Sequence, residues 1–363
     1  MISAADHECM ARALRLAERG LYTTAPNPRV GCVIVRDGAV VGEGWHQRAG
    51  GPHAEIAALQ AAGDAARGAT LYATLEPCHH HGRTPPCDEA VVAAGVRRAV
   101  IAMRDPDART AGAGIARLQQ AGLEVETGVL ENEARELNVG FVARLTHGRP
   151  WVRVKLAASL DGKTALADGT SRWITGQAAR RDGHHWRARA CAVLTGSGTV
   201  RADDPWLTVR EVETARQPLR VMVDSALAVP PTARIFESGG VLVVHAGAAR
   251  AKIEPLRAKG IEVIALPDGR GRVDLPALLR ELVRREVNEL HVEAGATLSG
   301  ALLQAGLADE LLLYFAPCVL GAGARGMFEL PLLSDLGARH NLRIRDMRMV
   351  GSDLRMLARL EQR

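Results

Sequence analysis

Four residues in the N-terminal third of the chain could together build a metal-dependent hydrolytic site. His53 opens this stretch, and Cys78 and Cys87, each directly after a proline, close it. One imidazole and two thiolates are three ligands for Zn²⁺, and they leave the fourth tetrahedral position open for water, as a catalytic zinc site requires. Glu55 lies two residues after His53, where it could move protons instead of binding metal. We therefore predict a zinc centre with His53, Cys78 and Cys87 as ligands and Glu55 as the catalytic residue.

Zinc-dependent nucleobase deaminases carry His-x-Glu followed by Pro-Cys-x-x-Cys, with the Glu as general acid and base. Here eight residues separate the two cysteines, so the second half of this signature is longer. Either half alone would also fit an ordinary loop or a structural metal knuckle, whereas the combination favours hydrolytic deamination of a ring. Asn27, within a rigid Pro-Asn-Pro turn, could hold the edge of that ring, and simple turn chemistry explains it equally well.

The neighbours of Cys78 carry further polar groups. We expect His79, His80 and His81 to line the pocket, since three metal ligands are already supplied. Arg83 and Thr84 suit a phosphate or a ribose, and a solvated loop is an almost equal explanation.

Alternating helices and strands must position these residues. Asp37-Gly38 between two apolar runs predicts a β-hairpin, and helices and strands then alternate up to a last helix over residues 131–145. This order predicts a three-layer α/β/α domain with His53 and Glu55 at one helix start. A polar junction with Gly and Pro at residues 146–150 precedes a second α/β domain. We place the domains at residues 1–147 and 148–363.

Two glycine-rich turns of the second domain each follow a predicted strand, at residues 194–200 and 293–300. A turn of this kind ahead of a helix can bind a phosphate through backbone N–H groups, although an ordinary strand-to-helix turn is the commoner explanation. Neither turn reads Gly-x-Gly-x-x-Gly, so the motif of a Rossmann dinucleotide site is missing.

Composition narrows the possible partners. Aromatic residues make up 3% of the 363 residues, which argues against a stacking platform for single-stranded nucleic acid. The net charge of +5 comes with scattered arginines and favours small phosphorylated ligands, so we predict no nucleic-acid partner. We find neither a signal-peptide pattern nor a run of about 18 apolar residues, and we expect no membrane partner and a cytoplasmic location. Six cysteines are too few for a disulfide framework in so long a chain, and we expect four of them to be buried thiols: Cys9, Cys32, Cys191 and Cys318.

Longer motifs resemble the bifunctional riboflavin-biosynthesis deaminase/reductase family. In the first domain these are Ala-Pro-Asn-Pro-Arg-Val-Gly-Cys-Val-Ile-Val, Pro-His-Ala-Glu and His-Gly-Arg-Thr-Pro-Pro-Cys, and in the second Lys-Leu-Ala-Ala-Ser-Leu-Asp-Gly-Lys, Ser-Arg-Trp-Ile-Thr, Ala-Asp-Asp-Pro and Val-Glu-Ala-Gly. The resemblance covers about residues 3–355. It implies a cytidine-deaminase-like N-terminal α/β/α domain and a dihydrofolate-reductase-like C-terminal α/β domain. It also implies Zn²⁺ and NADPH as cofactors, a small phosphorylated pyrimidine as substrate, and a homo-oligomer, either a dimer or a tetramer.

The resemblance further implies the two reactions. The first domain would hydrolyse the 2-amino group of 2,5-diamino-6-(5-phosphoribosylamino)pyrimidin-4-one, and the second would use NADPH to reduce the ribosyl group to ribityl. The family's Asp-Pro-Asn-Pro reads Asp-Pro-Asp-Ala at residues 105–108, so Asp107 and Ala108 depart from a loop that could position substrate.

The same resemblance implies the contacts in the second domain. Substrate contacts would be Ser171, Arg187, Leu207, Arg210 and Glu293, with both arginines suited to the phosphate. Cofactor contacts would be Ala157, Trp173, Thr199, Asp203, Ser225, Gly295, Ala296, Thr297, Leu298, Ser299, Gly300 and Ala301. Asp203 would also orient or protonate an opened-sugar imine, and a structural cap or a ribose contact is an equal interpretation.

Two other functions fit parts of the pattern. An RNA or nucleoside deaminase with an appended binding domain would need a basic, aromatic-bearing surface in the second half, and the scarcity of aromatic residues argues against it. A zinc-stabilised scaffold without catalysis would need neither the open coordination position nor Glu55.

Overall fold

Two compact units make up the chain, Met1–Gly148 and Arg149–Arg363. The structure is a computed structural model that describes residues 2–79, 86–108 and 110–361. Each unit contains a hydrophobic core of its own, built on its own sheet.

The first unit is a five-stranded sheet with helices around it. The strand order is β2-β1-β3-β4-β5, with β1 antiparallel to β2 and β3, and β3, β4 and β5 parallel. The strands are β1 (Gly31–Arg36), β2 (Ala39–Trp45), β3 (Thr70–Ala73), β4 (Arg98–Ile101) and β5 (Glu124–Thr127). The helices are α1 (Ala4–Glu18), α2 (Ala54–Ala62), α3 (Cys87–Ala93), α4 (Ala113–Gln120), α5 (Glu131–Leu137) and α6 (Val139–His147). The predicted hairpin at Asp37-Gly38 is confirmed, because both residues adopt the positive φ angles that such a turn requires.

Glycines let α1 and α2 pack directly on opposite faces of this hairpin. A Cβ on Gly31 of β1 would lie 1.9 Å from the carbonyl oxygen of Ala13 in α1. Gly44 of β2 pairs with Cys32, the residue after Gly31, and so faces the other side of the sheet. A Cβ on Gly44 would lie 2.5 Å from the carbonyl oxygen of Ala54 in α2. The start of α2 is therefore fixed against the backbone of β2.

The single helix expected over residues 131–145 is wrong: the chain forms α5 and α6 there, with a break at Asn138. The side chain of Asn138 accepts a hydrogen bond from the Arg29 backbone N–H (2.8 Å) and donates one to the Arg29 carbonyl oxygen (2.9 Å). This pairing across 109 residues competes with the regular helix at Asn138.

The second unit is a nine-stranded sheet in the order β11-β10-β9-β8-β12-β6-β13-β16-β15. The seven strands from β11 to β13 are parallel, and β16 and β15 extend the sheet antiparallel. The strands are β6 (Trp151–Ser159), β7 (Lys163–Ala165), β8 (Ala192–Gly196), β9 (Leu219–Val223), β10 (Val241–His245), β11 (Glu262–Ala265), β12 (Glu289–Val292), β13 (Glu310–Ala316), β14 (Arg325–Gly326), β15 (Leu342–Val350) and β16 (Asp353–Leu360), of which β7 and β14 pair separately. The helices are α7 (Gln177–Arg189), α8 (Ser197–Asp203), α9 (Arg250–Arg257), α10 (Leu275–Arg284) and α11 (Ala296–Gln304).

All six cysteines are free thiols. Cys32 is buried, whereas Cys9 and Cys191 are partly buried and Cys318 is exposed, so the expected burial of Cys318 is wrong. In the part of the chain that the structure describes, none of the helices combines the length and the hydropathy needed to cross a membrane.

Candidate active sites

Three side chains of the first unit bring candidate metal-ligand atoms together. One ligand atom each of His53, Cys78 and Cys87 lies within 4.8 Å of the others. Nδ1 of His53 is 3.1 Å from Sγ of Cys87 and 3.5 Å from Sγ of Cys78. The Cys87 backbone N–H donates to Sγ of Cys78 at 3.4 Å, a contact that favours the thiolate. One imidazole nitrogen and two thiolates are the donor set of an open zinc site, so these residues fit a zinc ion.

Cys78 is held in place by the carboxylate of Glu76, two residues earlier. One oxygen of Glu76 accepts from the backbone N–H groups of Asp105 (3.1 Å) and Gly112 (3.0 Å), and the other accepts from Ile115 (3.1 Å). Glu76 thereby ties the segment before Cys78 to the start of α4 and to the loop at residues 105–108, whose last two residues depart from the family pattern.

Glu55 is buried in the first turn of α2, two residues after His53 at the N-cap. Burial raises the pKa of Glu55 to about 7, although His53 acts in the opposite direction. A carboxyl group that titrates near neutrality can both accept and return a proton. A bound dication would lower this pKa.

Asn27 is connected to the candidate ligand His53 through His46, which the sequence reasoning did not single out. Nδ1 of His46 lies 2.9 Å from the Pro52 carbonyl oxygen and therefore carries the proton. Nε2 faces Nδ2 of Asn27 at 3.0 Å. The rings of His46 and His53 meet edge to face, with centroids 5.4 Å apart. His46 directly follows β2, and polar residues at strand ends are a sequence signal that could have identified it.

His79 lies outside the cluster of candidate metal ligands. Its Nδ1 is 2.5 Å from a carboxylate oxygen of the fully buried Asp88, and its expected place in the lining of the pocket stays a prediction. Four other residues with predicted roles in this loop fall outside the described residues: His80, His81, Arg83 and Thr84.

In the second unit, predicted cofactor contacts lie together at the carboxyl ends of neighbouring strands. Ala157 is near the carboxyl end of β6. Thr199 and Ser225 follow β8 and β9, and Gly295 follows β12. These strands are adjacent in the order β9-β8-β12-β6. The Gly295 backbone N–H donates to Oγ1 of Thr199 at 3.1 Å. The carboxyl edge of parallel strands is where open α/β sheets bind their ligands.

The second glycine-rich turn leads directly into α11, whose first residues are among the predicted cofactor contacts. The helix N-cap, Gly295, offers no side-chain cap, so the first-turn N–H groups suit a pyrophosphate, and this edge fits a dinucleotide. Farther along, Oγ1 of Thr297 donates to Glu329 (2.7 Å) and Oγ of Ser299 donates to the Ala294 carbonyl oxygen (3.3 Å). A Cβ on Gly300 would lie 2.2 Å from the Glu329 carbonyl oxygen, so close packing explains this glycine.

Arg187 and Glu293, both predicted substrate contacts, form a partly buried ion pair. Nε of Arg187 donates to Oε1 of Glu293, Nη2 donates to Oε2 at 2.9 Å, and Nη1 donates to the Thr208 carbonyl oxygen at 3.1 Å. Burial alone would raise the pKa of Glu293, but Arg187 outweighs it and holds that pKa well below its usual value. A guanidinium has five N–H groups, so two remain for a ligand.

Arg210 is the more exposed of the two predicted phosphate ligands. It donates from Nη1 to Oγ1 of Thr208 at 3.2 Å, and its guanidinium carbon lies 5.2 Å from the centroid of the Trp206 ring. Leu207 is buried and has a φ of 55°.

Ser171, Trp173 and Asp203 are brought near one another by Arg172. The Arg172 guanidinium donates to the Asp203 carbonyl oxygen, and its Nε lies 3.6 Å from the Asp203 carboxylate. Trp173 is 70% exposed and could cover a ligand, whereas Ser171 is partly buried.

Lys155 of β6 was not predicted as a site residue, although it begins one of the family motifs. Burial lowers the pKa of Lys155, and Glu293 acts in the opposite direction, so Lys155 shares the polar interior around Glu293.

Both units of the chain match families of known proteins. Residues 3–103 match the family described as cytidine and deoxycytidylate deaminase zinc-binding region, and residues 150–356 match RibD C-terminal domain. Riboflavin biosynthesis protein RibD of Escherichia coli is 49% identical over 96% of this chain and 98% of its own length. The chain belongs to the RibD family.

Solved RibD structures resemble the whole chain. Form 1 of Acinetobacter baumannii RibD is 44% identical, covers 99% of both chains and has a TM-score of 0.92. The deaminase/reductase of Thermotoga maritima is 34% identical, covers 98% of this chain and 99% of its own, and has a TM-score of 0.86. Like other RibD proteins, the chain is a bifunctional deaminase and reductase of riboflavin biosynthesis, a hydrolase and an oxidoreductase in one. The predicted family and fold class are confirmed, and the RNA or nucleoside deaminase is not favoured.

Proposed function

We propose that residues 1–147 carry the deaminase and residues 148–363 the reductase, and that they act in this order on one phosphorylated pyrimidine. The Thermotoga maritima relative is described as a diaminohydroxyphosphoribosylaminopyrimidine deaminase and 5-amino-6-(5-phosphoribosylamino)uracil reductase, and we infer the same two substrates here. The observation that carries the proposal is the convergence of His53, Cys78 and Cys87 within 4.8 Å, beside the buried carboxyl group of Glu55.

In the deaminase, His53, Cys78 and Cys87 would hold Zn²⁺. The ion would supply the Lewis acidity that makes water a nucleophile near neutral pH. Glu55 removes one proton from this water and gives it to a ring nitrogen. It then takes the second proton of the same water from the new hydroxyl group and passes it to the departing 2-amino group. The C–N bond breaks, ammonia leaves, and the ring gains a carbonyl oxygen. Asn27, oriented by His46, would hold the ring edge.

In the reductase, NADPH would lie along the carboxyl edge of β9, β8, β12 and β6. Its contacts would be Ala157, Trp173, Thr199, Asp203, Ser225 and the start of α11 from Gly295 to Ala301. The cofactor supplies a hydride, and protein groups mainly orient the two reactants. The ribosyl carbon of an opened-sugar imine would accept the hydride and its nitrogen would gain a proton, and Asp203 would either orient this imine or supply that proton. Ser171, Arg187, Leu207, Arg210 and Glu293 would bind the substrate, with Arg187 and Arg210 on its phosphate.

A homo-oligomer is also proposed, supported by the outermost strand β15. Ile344, Met347 and Met349 on this strand are 53%, 57% and 63% exposed, and within the described residues β15 pairs only with β16. Exposed apolar side chains on a sheet edge favour pairing with another chain. Light scattering should give a dimer or tetramer, and Met347→Arg with Met349→Arg should give a monomer. The expected cytoplasmic location and the expected lack of a nucleic-acid partner stay predictions.

A split assay on the purified full chain tests the function. Ammonia release is followed without cofactor, and NADPH oxidation is followed after NADPH is added. We expect ammonia in the first stage and NADPH consumption only in the second. If ammonia forms only from cytidine or RNA, the proposed substrate is wrong, and if ammonia forms but no NADPH is consumed, the proposed reductase is wrong.

A further inference from the structure

The segment that carries Arg210 accepts hydrogen bonds from side chains, or donates them to side chains, at three consecutive residues, Thr208, Val209 and Arg210. Arg187 donates to the Thr208 carbonyl oxygen (3.1 Å). The Gln217 amide accepts from the Val209 N–H (2.8 Å) and donates to the Val209 carbonyl oxygen (3.0 Å). The Arg210 N–H donates to Nδ1 of His184 (3.2 Å). This segment belongs to neither a helix nor a strand, so these side chains replace the hydrogen bonds of regular structure.

His184 is the group that acts directly on Arg210. It lies in α7 one turn before Arg187, so the two side chains leave the helix on the same face. His184 is 7% exposed. Because a backbone N–H can only donate, Nδ1 is the acceptor and the ring proton must be on Nε2. The ring is neutral in this arrangement, since a charged imidazole has no acceptor.

The surroundings of His184 keep the ring neutral. Burial lowers the pKa of His184 to about 4, and the positive charges of Arg187 and Arg210 act in the same direction. Glu293 and Glu211 act in the opposite direction and do not outweigh them. Near neutral pH, His184 therefore keeps its acceptor for the Arg210 N–H.

We infer that His184 is a positioning residue for the substrate phosphate and acts through the backbone of Arg210. Arg210 has a long side chain with much rotamer freedom. Its guanidinium can be placed on the substrate phosphate only when its Cα is held in a fixed position. The hydrogen bond to His184 fixes the backbone, while Thr208 Oγ1 and the Trp206 ring restrict the guanidinium. This inference rests on the proposed role of Arg210 and adds the group that sets its position.

The test compares two substrates in the reductase reaction of the full chain. One is 5-amino-6-(5-phosphoribosylamino)uracil, and the other is the same compound without its phosphate. Variants are His184→Ala, Arg210→Ala, the double variant, and His185→Ala as a matched control, since His185 is the exposed neighbour on the same helix. Ammonia release by the first unit of the same molecules reports whether the preparation is otherwise intact.

We expect His184→Ala to raise KM for the phosphorylated substrate about three- to tenfold with kcat nearly unchanged, the size of one lost hydrogen bond. The substrate without phosphate should show no change, and neither should His185→Ala. His184→Ala should add little to Arg210→Ala in the double variant. His184→Asn should restore the wild-type KM, because its side-chain oxygen can take the place of Nδ1. If His184→Ala fails to fold, His184→Phe, which keeps a ring but has no acceptor, takes its place and should raise the same KM.

Two results would overturn the inference in different ways. In the first, Arg210→Ala raises KM for the phosphorylated substrate, but the effects of His184→Ala and Arg210→Ala on KM are additive, or His184→Ala raises KM equally for both substrates. In that case only the proposed role of His184 is wrong. If Arg210→Ala leaves KM for the phosphorylated substrate unchanged, the proposed phosphate contact of Arg210 fails, and the inference fails with it.

Discussion

At the scale of single residues, the proposed role of Glu55 separates proton transfer from metal binding. Its carboxyl group belongs to the same helix start as His53 but is not among the three side chains that bring ligand atoms together. Replacing this one acid should therefore stop the chemistry and leave the metal site intact.

Glu55→Gln should lower ammonia release by about 10²- to 10⁴-fold, the usual contribution of a general acid–base group. Zinc content, measured by atomic absorption, should equal that of the wild type. NADPH oxidation with the deaminated pyrimidine as substrate should also be unchanged. A variant that loses its zinc would show that Glu55 is needed for binding the ion, and our assignment of its role would be wrong.

His184 gives a prediction for pH and stability. Its pKa is about 4 in the folded chain and about 6.5 in an unfolded chain. Between these values the unfolded chain binds more protons, so stability falls as pH falls from 6.5 towards 4. Titration of His184 should lower the free energy of unfolding by about 1.5 kcal/mol between pH 6.5 and pH 5.

Urea unfolding at these two pH values, followed by tryptophan fluorescence, measures this difference in the free energy of unfolding. Four of the five tryptophans lie in the second unit, so the signal reports mainly on that unit. His184→Asn should lose less stability than the wild type over this range. Equal losses in the two proteins would mean that His184 does not titrate with a lowered pKa.

The sequence alone identifies the candidate catalytic and metal-binding residues of the first unit, but it does not identify the residues that position them. His53, Cys78, Cys87 and Glu55 belong to short motifs whose residue types already define the chemistry. His46 and His184 act through partners that are close only after folding, such as Pro52 and the Arg210 N–H. Nothing in the local sequence around either histidine specifies that partner.

At the scale of elements, the packing of α2 on β2 positions the first site. His53 caps α2 and Glu55 is in its first turn, so a displaced helix start would move both side chains. Gly44 allows the close approach of the two elements, because its missing Cβ leaves room for the Ala54 carbonyl oxygen.

Gly44→Ala should push the start of α2 away from the sheet, since the new Cβ would lie 2.5 Å from that oxygen. Deaminase kcat/KM should fall about ten- to a hundredfold, as expected for a displacement near 1 Å. Gly323→Ala, at a glycine with open space around it, is the matched control. Reductase activity should be unaffected in both variants. An active Gly44→Ala enzyme would mean that the helix adjusts without moving the site.

Elements defined by local signals were predicted, and those defined by distant contacts were not. The hairpin at Asp37-Gly38 has its cause within a few residues, since both turn residues adopt the positive φ angles that the turn requires. The break at Asn138 was missed because its partner, Arg29, is 109 residues away. The β15–β16 hairpin was missed although residues 342–350 carry apolar side chains near every second position.

At the scale of the whole molecule, each unit has its own core and its own candidate site. The candidate zinc ligands lie entirely in the first unit, and the strands that would bind NADPH lie entirely in the second. The metal and the cofactor should therefore be removable independently.

Extended dialysis against a chelator should abolish ammonia release while NADPH oxidation with the deaminated pyrimidine continues at its original rate. Metal ligands rarely form a stable site without their ion, so the first unit should also unfold at a lower temperature. Adding Zn²⁺ back should restore ammonia release, whereas Mg²⁺, which prefers oxygen ligands, should not. Loss of both activities on chelation would contradict the independence of the two sites.

The peptide bond between Gly148 and Arg149, where the two units divide, also has a consequence for the cell. Every copy of the chain supplies one deaminase and one reductase, so the stoichiometry of the two catalysts is one to one at any level of gene expression. Transcription and translation can change the total flux through both steps but not the ratio of the two enzymes. Any adjustment of the balance between the steps must therefore come from the kinetic constants of the two sites, which residues such as Gly44 and His184 also influence from outside them.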